Sequence, residues 1–167
     1  MRWLVDGYNV IRRSPELRSR ECESLESGRQ GLAGLLAEAA RLSGDRFTVV
    51  FDGAGAGGRS PGRAVEMVFS SARETADRLI ARLAAAGGAV VSNDREVRRA
   101  AARAGAIPVT TDEFLAHLER AVTAADLSPD EAKEDEPEER ASPKRGNPRR
   151  MPKRRRAAAR ALRRLRP

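Results

Sequence analysis

The sequence predicts an α/β domain with a mainly parallel central sheet, followed by a disordered C-terminal tail. Three observations carry this prediction. Five short runs rich in β-branched and aromatic residues are mostly continuous rather than alternating, as in strands buried on both faces. Helical patterns separate most of these runs, as parallel crossovers require. The charge is also divided: residues 1–125 carry 18 Arg, no Lys and 16 acids (net +2), residues 126–139 are net −7, and residues 140–167 are net +13.

The strand-like runs are Trp3–Val5, Phe47–Phe51, Val65–Phe69, Ala89–Val91 and Ile107–Val109. Leu25, Leu32, Leu35, Leu36, Ala39 and Leu42 form an apolar stripe that predicts a helix over 24–43. Ala76, Leu79, Ile80 and Leu83 do the same within 72–86, which ends at Gly87-Gly88. Val97, Ala100, Ala101 and Ala104 mark a third helix stopped by Gly105, and Phe114, Leu115, Leu118 and Val122 mark a fourth. Ser71 with Glu74, Asn93 with Glu96, and Thr110 with Glu113 match the capping-box pattern. Only Gly-rich sequence joins the second and third strands. Gly53, Gly55 and Gly58 satisfy GxGxxG there, but a strand follows rather than the helix N-terminus that a pyrophosphate needs, so no dinucleotide site is expected. The domain is expected over 1–125, a disordered acidic-to-basic linker over 126–152, and a basic tail with the composition of a short helix over 153–167.

Composition excludes other classes. No apolar run approaches the roughly 18–20 residues of a membrane span. The opening segment has Asp6 where a signal peptide would carry its apolar core. Cys22 is the only cysteine and His117 the only histidine, which rules out an intrachain disulfide and Cys- or His-rich metal sites. A cytoplasmic location is expected. A receiver domain would need a lysine after its last strand, and a haloacid-dehalogenase-type phosphatase a second acid two residues after Asp6. Residues 1–125 contain no lysine, and the residue two after Asp6 is Tyr8.

The acids carry the functional signal. Asp6, Asp52, Asp94 and Asp112 each follow a strand-like run. The carboxyl ends of parallel strands share one edge, where open α/β sheets bind ligands. Glu74 and Asp77, three apart on a helix, add two acids on one face near its N-terminus. Carboxylates about 4 Å apart repel by several kcal/mol at a protein surface. A hard divalent cation, Mg²⁺ or Mn²⁺, relieves that repulsion with oxygen ligands alone. Such an ion lowers the pKa of a bound water and neutralises charge on a phosphodiester. Each acid also has a plainer explanation. Asp94 and Asp112 suit the first turn of a helix, Glu74 a capping box, and Asp6-Gly7 and Asp52-Gly53 turns, while Asp77 suits a solvated helix face. No long helix is evident for Asp6 to cap.

Asp6-Gly7-Tyr8-Asn9-Val10-Ile11 after the opening strand resembles the N-terminal signature of NYN-domain proteins, a branch of the PIN-like nucleases. Glu74-Thr75-Ala76-Asp77 and Ser92-Asn93-Asp94 resemble the later acidic motifs of the bacterial YacP-like NYN group, in order and spacing across roughly residues 1–123. The resemblance implies a PIN-like three-layer fold and a Mg²⁺- or Mn²⁺-dependent endoribonuclease leaving a 5′-phosphate. The YacP-like group further implies mRNA on ribosomes as substrate. Carried over by motif, Asp6, Asp77 and Asp94 become the first metal ligands. Asn9 joins the catalytic set by orienting Asp6 or a substrate phosphate. Asp52 and Glu74 follow as second ligands, and Asp112 as a third choice. The tail beyond about 125 has no counterpart in the family pattern.

Basic residues supply the expected RNA contacts. Arg95, Arg98, Arg99 and Arg103 share a face of the helix beside Asp94, Arg59 and Arg63 flank the Gly-rich loop, and Arg154, Arg155 and Arg156 lie in the tail. A solvated face in an Arg-rich protein is the plainer account of the helix arginines. Tyr8 is placed to stack on a base, although a packed aromatic is the commoner outcome. The competing function is a non-catalytic RNA- or ribosome-binding module. A DNA-directed nuclease is a third reading.

Overall fold

A computed structural model of the chain describes residues 1–53, 60–61, 64–71, 73–126 and 153–163. The elements run β1 (Arg2–Asp6), α1 (Gly7–Arg13), α2 (Pro15–Glu23), α3 (Leu25–Ser43), β2 (Arg46–Phe51), β3 (Ser60–Pro61), β4 (Val65–Phe69), α4 (Ala76–Ala84), β5 (Ala89–Val91), α5 (Arg95–Arg103), β6 (Ile107–Val109), α6 (Thr111–Asp126) and α7 (Lys153–Arg163). The sheet order is β3-β4-β2-β1-β5-β6. Five strands are parallel, and the two-residue β3 adds antiparallel to β4 at one edge.

Side-chain alternation builds three layers. Trp3, Val5, Phe47, Val49, Phe51 and Val91 point to one face, where they pack with Val10, Ile11, Leu32, Leu36, Phe114 and Leu118 from α1, α3 and α6. Leu4, Val50 and Val90 point to the other, against Ala76, Leu79, Ile80, Val97 and Ala101 from α4 and α5. Burying each large apolar side chain contributes about 1.5–3 kcal/mol, and the continuous strand runs exist because both faces are covered.

The five expected strands and the helices α3, α5 and α6 are present. Two short helices, α1 and α2, were not expected. Asp6 caps α1, its carboxylate accepting from Asn9 N–H at 3.3 Å, so the supposed Asp-Gly turn is a helix start. A side chain at Gly7 would collide with the Phe51 ring, which explains the glycine there. In α2, only Leu17 is buried, so it lacks an apolar stripe; its signal is instead the cap Ser14 followed by Pro15 at the first helical turn. Two capping boxes are corrected. The helix α4 starts at Ala76 with Thr75 as cap, while Ser71 and Glu74 pair through their backbones. Asp94, not Asn93, caps α5. The third box holds: Thr110 Oγ1 accepts from Glu113 N–H at 3.2 Å, and Glu113 Oε2 accepts from Thr110 N–H at 3.3 Å.

The helix α7 buries Ala158, Ala161 and Leu162 in the first core cluster and packs against the edge strand β6. Covering that edge protects its unpaired backbone groups. Of the linker expected over 126–152, Asp126 ends α6 and the rest lies outside the described residues. So do Arg59 and Arg63. Among the described residues, no helix is long and apolar enough to cross a membrane.

Candidate active site

Strand register gathers the acids. Val91 is level with Val5, so Ser92, one residue on, stands beside Asp6. Phe69 is level with Phe51, so Ser70 stands beside Asp52. By alternation Asp6 and Asp52 follow Leu4 and Val50, both of which face α4 and α5. Asp77 in the first turn of α4 and Asp94 at the cap of α5 stand on that same side. Four acids from four separate segments thus meet at one end of the sheet.

Two buried serines fix the strand acids. Ser92 Oγ donates to Asp6 Oδ2 at 2.9 Å and accepts from Asp94 N–H at 3.0 Å. Ser70 Oγ donates to Asp52 Oδ1 at 2.7 Å and accepts from Gly53 N–H at 3.1 Å. The sequence assigns neither serine a role, although Ser92 opens the Ser92-Asn93-Asp94 motif. Their signal is positional: each is the first residue past a strand whose neighbour ends in, or runs directly into, an aspartate. Asp94 Oδ1 takes the helix amides of Glu96 at 2.6 Å and Val97 at 3.3 Å, which holds the carboxylate at the helix N-terminus.

The electrostatics follow this crowding. Burial pushes the Asp6 carboxyl above its ordinary pKa; the hydrogen bonds from Ser92 and Asn9 oppose this, and the charges of Asp77 and Asp94 reinforce it. Asp77 is also raised, first by desolvation and then by Asp94 and Asp52. Asp6, Asp77 and Asp94 therefore repel one another, and Asp52 joins the same group through Asp77. Among the described residues, however, no three such side chains stand close enough to enclose a metal ion by themselves.

The other two acids have separate partners. Glu74 pairs with Arg82 through both oxygens, at 3.0 and 2.9 Å, and that pairing holds its pKa down. Asp112 accepts from Arg13 Nε and, at 3.0 Å, from Asn93 Nδ2; Arg13 is the main cause of its lowered pKa. Neither joins the repelling group. Asn9 bonds Asp6 as expected, but through its backbone rather than its side chain. Its backbone N–H serves Asp6, while its side-chain Oδ1 accepts from Asn93 N–H at 3.1 Å and Thr111 Oγ1 at 3.2 Å. It therefore ties the ends of β1, β5 and β6 together. Tyr8 packs edge-on against Phe51 with ring centroids 5.1 Å apart, covered by the guanidinium groups of Arg12 and Arg29.

On α5, Arg95 and Arg99 are exposed, and Arg99 pairs with Glu96 at 3.1 Å. Arg98 Nη1 donates to the Ser92 carbonyl at 3.4 Å, beside the acidic group. Arg154, Arg155 and Arg156 occupy the first turn of α7, with Arg155 and Arg156 exposed.

Comparison with known proteins bears on the family and the fold. The family model for the YacP-like NYN domain matches residues 3–158. It therefore runs into α7, correcting the expectation that the tail has no family counterpart. The chain is 38% identical over 86 residues to a protein of Bacillus subtilis (strain 168) described as uncharacterized protein YacP, covering 50% of this chain and about half (51%) of that one. The crystal structure of Rae1 (YacP) from Bacillus subtilis superposes with a TM-score of 0.65 at 30% identity, over 75% of this chain and 78% of that one. A point mutant of the same protein gives 0.64 over 75% and 79%. Motifs, fold and family model coincide, and the chain belongs to the YacP-like NYN domain family.

Proposed function

We propose that the chain is a metal-dependent endoribonuclease that hydrolyses RNA phosphodiesters in the cytoplasm, with mRNA on ribosomes as its substrate. The observation that carries the reading is the single group formed by Asp6, Asp52, Asp77 and Asp94 at one end of the sheet, in which the pKa values of Asp6 and Asp77 are raised from their ordinary value. Membership of a nuclease-like family supports hydrolysis of RNA. The ribosome follows from the YacP-like motifs alone.

The donor chemistry fits a hard divalent cation. Every candidate ligand is a carboxylate oxygen, and a cation would relieve the repulsion that raises Asp6 and Asp77. Mg²⁺ is usually held by one or two carboxylates together with waters and substrate phosphates, so a closed cage of three side chains is not required. Asp6, Asp77 and Asp94 would hold Mg²⁺ or Mn²⁺, with Asp52 acting through water. The ion supplies neutralisation of phosphodiester charge and a lowered pKa for the attacking water.

The chain's own residues do the rest. Ser92 and the Asn9 amide favour the ionised form of Asp6 and fix its orientation. The cap on α5 fixes Asp94. Arg95, Arg98 and Arg99, with Arg154, Arg155 and Arg156, draw RNA phosphates toward the acids, and Arg59 and Arg63 are further candidate RNA contacts by charge alone.

The test is incubation of the full chain with RNA and with single-stranded DNA, with and without Mn²⁺, beside Asp6→Asn. RNA cleavage that needs Mn²⁺ and is lost in Asp6→Asn is the expected result. Metal-independent cleavage would overturn the chemistry. RNA binding without cleavage in every condition would establish the non-catalytic module instead.

A further inference from the structure

A cavity of about 540 Å³ lies between α5 and α7, outside the acidic group. Its lining includes Arg95, Arg98 and Arg99 from α5, Arg155 and Ala158 from α7, and Thr110 at the end of β6. Among the described residues its one acid is Glu113, whose carboxylate is turned to Thr110, with hydrogen bonds of 2.7 and 3.3 Å. Arg95 and Arg155 have no ion-pair partner among the described residues. Arg98 lines the cavity and also bonds the Ser92 carbonyl, so the inner end of the cavity adjoins the serine that holds Asp6.

The direction of α7 matters. Arg155 and Ala158 meet Pro108 and Thr110 at the carboxyl end of β6, whereas Ala157, Arg160 and Ala161 meet Gly88, Gly105 and Ile107 at its other end. The helix therefore starts at the edge that carries the acids. Its N-terminus adds a positive partial charge there. A loosely tethered polycation would show no such registry.

We infer that α5 and α7 form the two walls of a phosphate-binding cleft that leads single-stranded RNA to the acidic group, so that the basic tail acts only when docked on β6. The inference rests on the RNA-directed reading above, but it concerns binding rather than cleavage. The ligand is recognised by its backbone phosphates. Opposed arginines can engage successive phosphates only while α7 is seated by Ala158, Ala161 and Leu162. An anchor acting by net charge alone would work equally well undocked.

The experiment measures binding of a single-stranded RNA oligonucleotide by the full chain in EDTA across a salt series, so that cleavage plays no part. Arg95→Ala with Arg155→Ala should lower affinity about tenfold near 0.1 M salt and flatten the log–log salt slope by about 1.4, the loss of two phosphate contacts. Leu162→Gln keeps every basic residue but unseats α7, and should weaken binding to a similar extent. Unseating is read independently as faster proteolysis within residues 153–163. Unchanged affinity in an unseated Leu162→Gln protein would overturn the cleft in favour of a net-charge anchor. Unchanged affinity and slope in the double arginine variant, which leaves the core intact, would overturn it outright. A wild-type chain that binds RNA through these residues but never cleaves it would leave the cleft standing and remove only the nuclease reading.

Discussion

Ser92 and Asp6 are joined by a 2.9 Å hydrogen bond at the carboxyl ends of β5 and β1, and the same serine oxygen receives the amide of Asp94. One buried hydroxyl therefore spaces two of the four crowded acids. Ser92→Ala removes a donor from the Asp6 carboxylate and leaves the Asp94 amide without its acceptor. The expected cost in stability is about 1–3 kcal/mol, read as a lower denaturant midpoint. Ser92 opposes the rise in the Asp6 pKa, so its loss raises that pKa further. The acid limb of the cleavage-rate profile should move to higher pH in Ser92→Ala. An unmoved limb would mean that Ser92 has a packing role alone.

Asp6 also links charge to stability. Its pKa in the folded chain lies above the ordinary 3.8, so folding favours the protonated form. Stability from this group is therefore highest below 3.8, falls as pH rises to the folded-state value, and stays low beyond it. Asp6→Asn removes the ionisation. The melting temperature of the variant relative to wild type should rise between pH 3 and pH 7, while cleavage is lost. Mn²⁺ should raise the wild-type melting temperature and raise that of Asp6→Asn less, because binding to the folded state alone is stabilising. Equal shifts in both proteins would separate the cation from Asp6.

Asp77 and Glu74 lie three residues apart but in different electrostatic company. Asp77 feels Asp94 and Asp52, whereas Glu74 is held by Arg82. Asp77→Asn should therefore reduce cleavage at least tenfold more than Glu74→Gln. Glu74→Gln should act mainly through the start of α4, detected as a change in helix protection by hydrogen exchange. An equal loss of cleavage in both would restore Glu74 to the acidic group.

The sheet and its acids were legible because parallel strands impose one rule: whatever follows each run lands on a common edge. That rule located Asp6, Asp52 and Asp94 without reference to any contact. It could not separate Glu74 from Asp77, since helical spacing puts both on one face while Thr75, not Ser71, begins α4. It missed α1 because seven residues carry no full apolar repeat. Asn9 illustrates a different gap. Motif resemblance marked the residue but not its use, because the partners of its side chain lie 84 and 102 positions away.

Gly7→Ala sets two effects against each other. Alanine favours a helix over glycine by about 1 kcal/mol, which would stabilise α1. Gly7 is buried, however, and an added methyl would overlap the Phe51 ring. Phe51 cannot swing aside easily. It is fully buried, edged by Tyr8 at 5.1 Å, stacked on Phe69 at 5.6 Å and covered by Arg29 at 5.4 Å. Overpacking of this kind typically costs about 1–3 kcal/mol, so the clash should outweigh the propensity gain. Gly7→Ala should lower the denaturant midpoint. Because Gly7 follows Asp6 and Phe51 precedes Asp52, the strain falls between two of the acids, and cleavage should decline even where the variant remains folded. A midpoint equal to or above wild type would show that the α1–β2 contact yields without cost, and that the glycine is not required by packing.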